Sequence, residues 1–314
     1  MIKRPGCLIF LVVIAALLII GFIIGPIGSS LFNIKVPESL AVSKPHVELP
    51  AEGIFQISGF TVTNTLIASW ITMIVLGSLF FAATRKMKLI PGGLQNFAEF
   101  IVESLLNFVT GVAGEKNART IFPLMATIFL YVMTNAFLAL IPIFGTIGYE
   151  HGHVFVPLLR AANTDINLPL SIALISVCCV EFWGLRSLGF FHYSKNFFDL
   201  GPLRNGFVSL FKGKIKPAFS GIMFGFINVF VGVIEILSHL IRIVSFTFRL
   251  FGNMTAGEIL LLVITFLVPF SVSVIFYGLE LLVGFVQALI FAGLTLVFGV
   301  IAMASHGEEP EHSN

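Results

Sequence analysis

Long apolar runs separated by short polar stretches make up most of this chain. Runs cover about 7–24, 63–83, 121–144 and 168–190, each close to the eighteen or more apolar residues that read as a membrane span. The second run stops abruptly at Arg85-Lys86-Met87-Lys88. Residues 93–113 (GGLQNFAEFIVESLLNFVTGV) set Glu99 and Glu103 into a helical apolar pattern, which predicts an interfacial amphipathic helix. The stretches 35–59 and 145–165 read as loops, the first through Pro37, Pro45 and Pro50, the second through Tyr149, His151, His153, Arg160 and Asp165.

The last third behaves differently. From about 219 to 267 the chain has neither proline nor a polar loop. As one straight helix this segment measures roughly 75 Å, against a hydrocarbon core of about 30 Å. It must therefore break into two helices or lie steeply tilted, and the tilted hairpin should carry at least one bend before Arg249. Pro269 and Ser271 mark a turn, and 272–304 form a second overlong helix of about 50 Å. The expected fold is an all-α membrane protein: a polytopic helical bundle with a long, strongly tilted C-terminal hairpin. Its parts are an N-terminal helix within 1–30, an external loop over 31–62, spans and the interfacial helix over 63–218, the hairpin over 219–304 and an acidic tail over 305–314. Tilts beyond about 40° are unusual for a lone transmembrane helix, so a surface outside this chain should match the hairpin.

Composition supports the membrane reading. The 314 residues are 57% hydrophobic and only 11% charged, whereas soluble domains average about 25% charged. A net charge of +2 leaves no basic face for nucleic acid. The three cysteines, Cys7, Cys178 and Cys179, sit in or beside apolar runs and suggest neither a disulfide framework nor a metal site. Lys and Arg concentrate at 3–4, 85–119 and 186–216, while the intervening loops hold only Lys35, Lys44 and Arg160. By the positive-inside rule both termini, 85–119 and 190–216 face the cytoplasm, in the inner or plasma membrane. Lys3 and Arg4 before the first run fit a signal peptide or a signal anchor; no A-x-A site follows, which favours an uncleaved anchor.

Candidate chemistry lies where ionisable groups fall at membrane depth, since such groups are costly and functional. Glu235, His239, Arg242, Arg249 and Asn253 lie within about 40° of one line on a helical wheel. Glu258, nine residues past Arg249, points to nearly the opposite side. Glu280 and Gln287 share a face of the second helix, about 10 Å apart along its axis. Blander readings exist for some of these. Glu235 and Arg242 can snorkel or pair with each other, His239 can be a packing residue, and Glu181 and Arg186 can snorkel. Arg249, embedded in VSFTFRLFG far from any polar loop, resists such a reading. Glu258 and Glu280 lie in strongly apolar surroundings, and an isolated acid there favours its neutral form, which suits the passage of protons.

Specific motifs run through these residues. RLFGNMTAGE (249–258) resembles the signature of subunit a of the membrane sector of F-type rotary ATP synthases, and ELLVGFVQALIF (280–291) resembles that family's last helix. TDIN (164–167) is similar to a weaker third element, and the resemblance covers roughly residues 45–305. It implies a stator subunit with a steeply tilted hairpin against the c-ring, with two aqueous half-channels separated by an arginine. That arginine maps to Arg249. Asn253, Glu258, Glu280 and Gln287 map to the proton path, with His at the Glu280 position in some members; Asp165 and Asn167 map to the outer entrance, and His239 joins the path as a candidate. The implied partners are the c-ring, the peripheral stalk subunit b and the remaining ATP synthase subunits, in membrane lipid; no cofactor or metal is implied. The helix at 7–24 is not part of the family's common core. No G-x-x-x-x-G-K loop is present, so nucleotide chemistry belongs to other chains. A secondary transporter or channel with an Arg–Glu gate is the competing reading; the absence of an internal repeat speaks against it. A membrane scaffold is the third.

Overall fold

The computed structural model describes residues 5–33, 50–57, 59–141, 147–151, 154–189, 201, 215–268 and 271–303. Pro37 and Pro45, His153, the basic loop from 190 to 214 apart from residue 201, the turn at Pro269 and the acidic tail lie outside the described residues. Helices dominate in chain order: α1 (Pro5–Ile24), α2 (Pro26–Phe32), α3 (Asn64–Thr84), α4 (Leu94–Ala139), α5 (Asn167–Leu188), α6 (Ile215–Leu267) and α7 (Ser271–Met303). The last five are long and apolar enough to cross a membrane, and the α1–α2 pair, bent by 72°, makes a further candidate if counted as one span. Pro26 opens α2 at its first turn, where a missing N–H costs no helical hydrogen bond, so the bend falls at the Gly25-Pro26 step.

Two short stretches depart from the sequence reading. Both expected loops contain antiparallel hairpins: β1 (Gly53–Ile57) with β2 (Phe60–Thr63), and β3 (Gly148–His151) with β4 (Val154–Pro157). The expected 93–113 helix is a helix of its own: within Leu94–Ala139 it is separated from the following span by a kink at Gly114, whose φ of 72° lies where a side chain is disfavoured. The span itself ends at Ala139 rather than near 144. In the last third, α6 is one helix of 53 residues, so the alternative of two separate helices is overturned. At 1.5 Å per residue it is about 80 Å long, and only inclination or curvature fits it to a bilayer.

The chain forms two compact units. The first combines Met1–Met87, Phe129–Leu168 and Arg249–Ile290; the second combines Lys88–Ile128, Pro169–Phe248 and Phe291–Asn314. In the first, polar pairs fix the helices where apolar packing alone would let them slide. Ser69 of α3 and Tyr131 of α4 share a 2.7 Å hydrogen bond, and Asn135 donates to Thr72 at 2.9 Å. The Phe129 and Phe285 rings meet edge-on at 5.9 Å. The start of α3 is tied down by its own sequence: Thr63 caps it by accepting from the Leu66 amide, and Asn64 donates to the Pro157 carbonyl and the Glu52 carboxylate.

In the second unit, Ser176 of α5 and Thr295 of α7 form a fully buried 2.7 Å hydrogen bond. The Ser187 hydroxyl donates to the Met303 carbonyl. The Phe246 ring meets those of Phe291 and Phe298 in tilted contacts, with centroids 4.9 and 5.9 Å away, and the Arg242 guanidinium lies 3.7 Å over the Phe298 ring. Arg242 therefore makes a cation–π contact with α7.

Candidate functional site

The RLFGNM segment is helical and two-faced. Leu250, Met254 and Gly257 are buried at helical spacing, while Arg249 is half-buried and Gly252, Asn253 and Ala256 are exposed. Arg249 and Asn253, one turn apart, thus sit away from the face that packs on this chain. Among the described residues no carboxylate lies within ion-pair reach of Arg249. Asn253 does have a partner in the chain: its amide donates to Oε1 of Gln287 at 2.7 Å, crossing from α6 to α7. Gln287 is 2% exposed. The two residues set 34 apart in sequence meet because α6 and α7 pack side by side here.

A turn further along α6, the first unit forms a partly open cavity of about 130 Å³. Its polar lining is Arg160, Glu258, Tyr277 and Glu280; Met254, Leu261 and other apolar residues complete the wall. A site of that size with several polar groups has room for more than one water. Both acids mapped to the proton path therefore face one chamber. Glu280 reaches it because position 257 is glycine: a Cβ built there would overlap the Glu280 carboxylate. The glycine of the Ala-Gly-Glu triplet thus makes space for an acid on the neighbouring helix.

Glu258 is not the isolated acid that its apolar neighbours in sequence suggest. Nε of Arg160 is shared between both of its carboxylate oxygens at 3.0 Å each, and Nη1 of Arg160 donates to the Pro50 carbonyl at 3.2 Å. The Arg160 side chain is only 7% exposed. In the sequence this arginine counts only as one positive charge in a loop. Nothing local marks it as functional, because its partner is 98 residues away.

The remaining candidates fall elsewhere. Asp165 accepts from the Thr65 hydroxyl at 3.1 Å and from the backbone and side-chain nitrogens of Asn167 at 3.0 and 2.9 Å. It caps the start of α5 and ties it to α3, and neither Asp165 nor Asn167 lines the cavity. His239 belongs to the second unit, where its Nδ1 is 2.7 Å from Oε1 of Glu181, ion-pair distance when the imidazole is protonated, though without hydrogen-bond geometry. Both side chains are half-buried at that contact, as a satisfied packing histidine would be.

Comparison with known proteins shows the family of the chain. The model of the family described as ATP synthase A chain matches residues 66–299. The ATP synthase subunit a of Aliarcobacter butzleri (strain RM4018) is 34% identical over 200 residues, 63% of this chain and 71% of that protein. The ATP synthase subunit a of Helicobacter pylori (strain P12) is 32% identical over 225 residues, 70% of this chain and 83% of the relative. A family match over most of the chain removes the transporter and scaffold readings. Helices α3 to α7, the matched span and the relatives agree: this chain is a multi-pass membrane protein of the ATP synthase A chain family, subunit a of the F-type ATP synthases.

Proposed function

We propose that this chain is the proton-translocating stator of its ATP synthase and that Arg249 faces the carboxylates of the c-ring between two half-channels. The observation that carries the reading is the face of α6 around Arg249. It holds a permanent cation with no carboxylate at ion-pair distance among the described residues, next to the small exposed residues Gly252 and Ala256. An arginine does not lose its charge in a protein, and placing it in low dielectric needs a compensating anion. A ring carboxylate supplies that anion each time it passes. At about 4 Å and an effective dielectric of 20 the attraction is about 4 kcal/mol. That is enough to favour release of the proton that lipid contact keeps on the carboxylate. The same charge repels hydrated cations and so blocks a direct leak between the half-channels.

The outer half-channel runs through the chamber shared by Glu258 and Glu280 and on to the Asn253–Gln287 pair, with Asp165 and Asn167 toward its entrance. His239, with Glu181 at its Nδ1, completes the set of proton-exchanging groups. The partners are the c-ring and, among the other synthase subunits, the peripheral stalk subunit b. Both termini lie on the cytoplasmic side in this reading, which the basic loops support. The test is ATP synthesis by the complete complex carrying Arg249→Ala or Arg249→Lys. Alanine removes the charge, and lysine gives a shorter group that can deprotonate when buried, so both should abolish coupled synthesis. Normal synthesis in the alanine variant would remove the centre of the reading.

A further inference from the structure

Arg160 has no place in the scheme above, yet the chamber is built around it. It leaves the short segment between β4 and the turn at Ala162–Thr164 and is almost wholly buried. Burying a guanidinium is expensive unless its charge and its hydrogen-bonding groups are met. Here the Glu258 carboxylate meets the charge through both oxygens, and the Pro50 carbonyl takes a further N–H. Three distant parts of the chain thus meet at one side chain: Pro50 ahead of β1, the segment after β4, and α6.

The two acids of the chamber are therefore unequal. Glu258 has a fixed cation against it. Glu280 is 7% exposed, lies over Gly257, and has no cation within ion-pair distance among the described residues. Tyr277, also on α7, is the other titratable group of the lining, while α4 contributes only Ala136, Ala139 and Leu140. Two acids whose surroundings treat their charges differently are the usual arrangement for assigning a donor and an acceptor.

We propose that Arg160 is a positioning residue of the proton path: it holds the Glu258 carboxylate against the chamber wall and sets the charge against which each proton arrives. The inference rests on the reading of Glu258 and Glu280 as path residues. A proton reaching Glu258 converts the carboxylate to the acid and leaves Arg160 facing a neutral group. Passing that proton through chamber water to Glu280 regenerates the carboxylate and restores the ion pair. Arg160 thereby keeps Glu258 from remaining protonated and the relay from stalling.

The experiment measures proton flow through the complete complex in membrane vesicles across a range of pH, for wild type, Glu258→Gln, Arg160→Gln and Arg160→Lys. Removing a neighbouring cation makes a carboxylate hold its proton to higher pH. Arg160→Gln should therefore slow flow and move the pH profile upward by about one to three units. Arg160→Lys gives a single shorter ammonium that the adjacent Glu258 carboxylate keeps charged but that cannot make the two-oxygen contact, so it should slow flow with a much smaller shift. A structural role alone would lower flow equally at all pH. Reduced flow in Arg160→Gln with the profile in its wild-type position therefore overturns the proposal. Should the glutamine variant fail to accumulate, the lysine variant decides: wild-type rate and profile overturn the proposal, and slower flow with a small upward shift supports it. Wild-type flow in Glu258→Gln would instead overturn the path reading itself, so the two failures are distinguishable.

Discussion

The side-chain amide of Asn253 donates to Oε1 of Gln287 at 2.7 Å, joining α6 to α7 one turn beyond Arg249. The bond crosses between the two helices that carry the candidate path, so it sets both their register and the orientation of the Gln287 head group. Gln287→Leu removes the acceptor, whereas Gln287→Glu keeps an oxygen at the same reach. Losing one hydrogen bond of about 1 to 1.5 kcal/mol should slow proton flow by about five- to tenfold in the leucine variant. The glutamate variant should retain clearly more flow in the same vesicle assay. Equal flow in the two variants would show that the bond does not matter.

Gly257 is the second sharp point. A methyl group there would occupy the space of the Glu280 carboxylate, the far end of a flexible side chain that must swing aside to make room. Gly257→Ala should displace the carboxylate and reduce proton flow about tenfold or more. Adding Glu280→Asp withdraws the carboxylate by one methylene and should recover part of the loss. Wild-type flow in Gly257→Ala would mean that the position of Glu280 is unimportant.

Much of this molecule is legible in its sequence, for a physical reason. Lipid demands long, uninterrupted apolar runs, so α3, α5, α6 and α7 lie within a few residues of the runs that announce them. The hairpins β1–β2 and β3–β4 are not legible, because strands of four or five residues among glycines and aromatics look like loop. The site divides along the same line. Asn253 and Gln287 belong to motifs on two adjacent helices, and their meeting follows from the hairpin. The Arg160–Glu258 pair joins a loop residue to a helix residue far along the chain, and periodicity carries no signal of it. The contact of His239 with Glu181 is hidden in the same way, since it depends on how α5 packs against α6 in the second unit.

Packing in that unit makes its own prediction. The Thr295 hydroxyl donates to the Phe291 carbonyl, so in the buried pair Ser176 is the donor. Ser176→Ala leaves the Thr295 oxygen short of one partner and should cost about 1 kcal/mol. Ser176→Ala combined with Thr295→Val removes both polar groups and should be closer to neutral than the single change. Thermal denaturation of the purified complex, followed by release of this subunit, measures both. Strictly additive losses would contradict the pairing.

Arg249 carries the central claim, and its distance from the ring is the quantity to measure. A disulfide forms only when Cα atoms come within about 4.4 to 6.8 Å, so it reports direct apposition. The complete complex should be prepared with Arg249→Cys and with a cysteine beside the ring carboxylate, then oxidised and separated without reductant. The account predicts a covalent product of this chain with one ring subunit, absent when either cysteine is missing. No such product, in complexes that assemble and carry both cysteines, would contradict the placement of Arg249 against the ring.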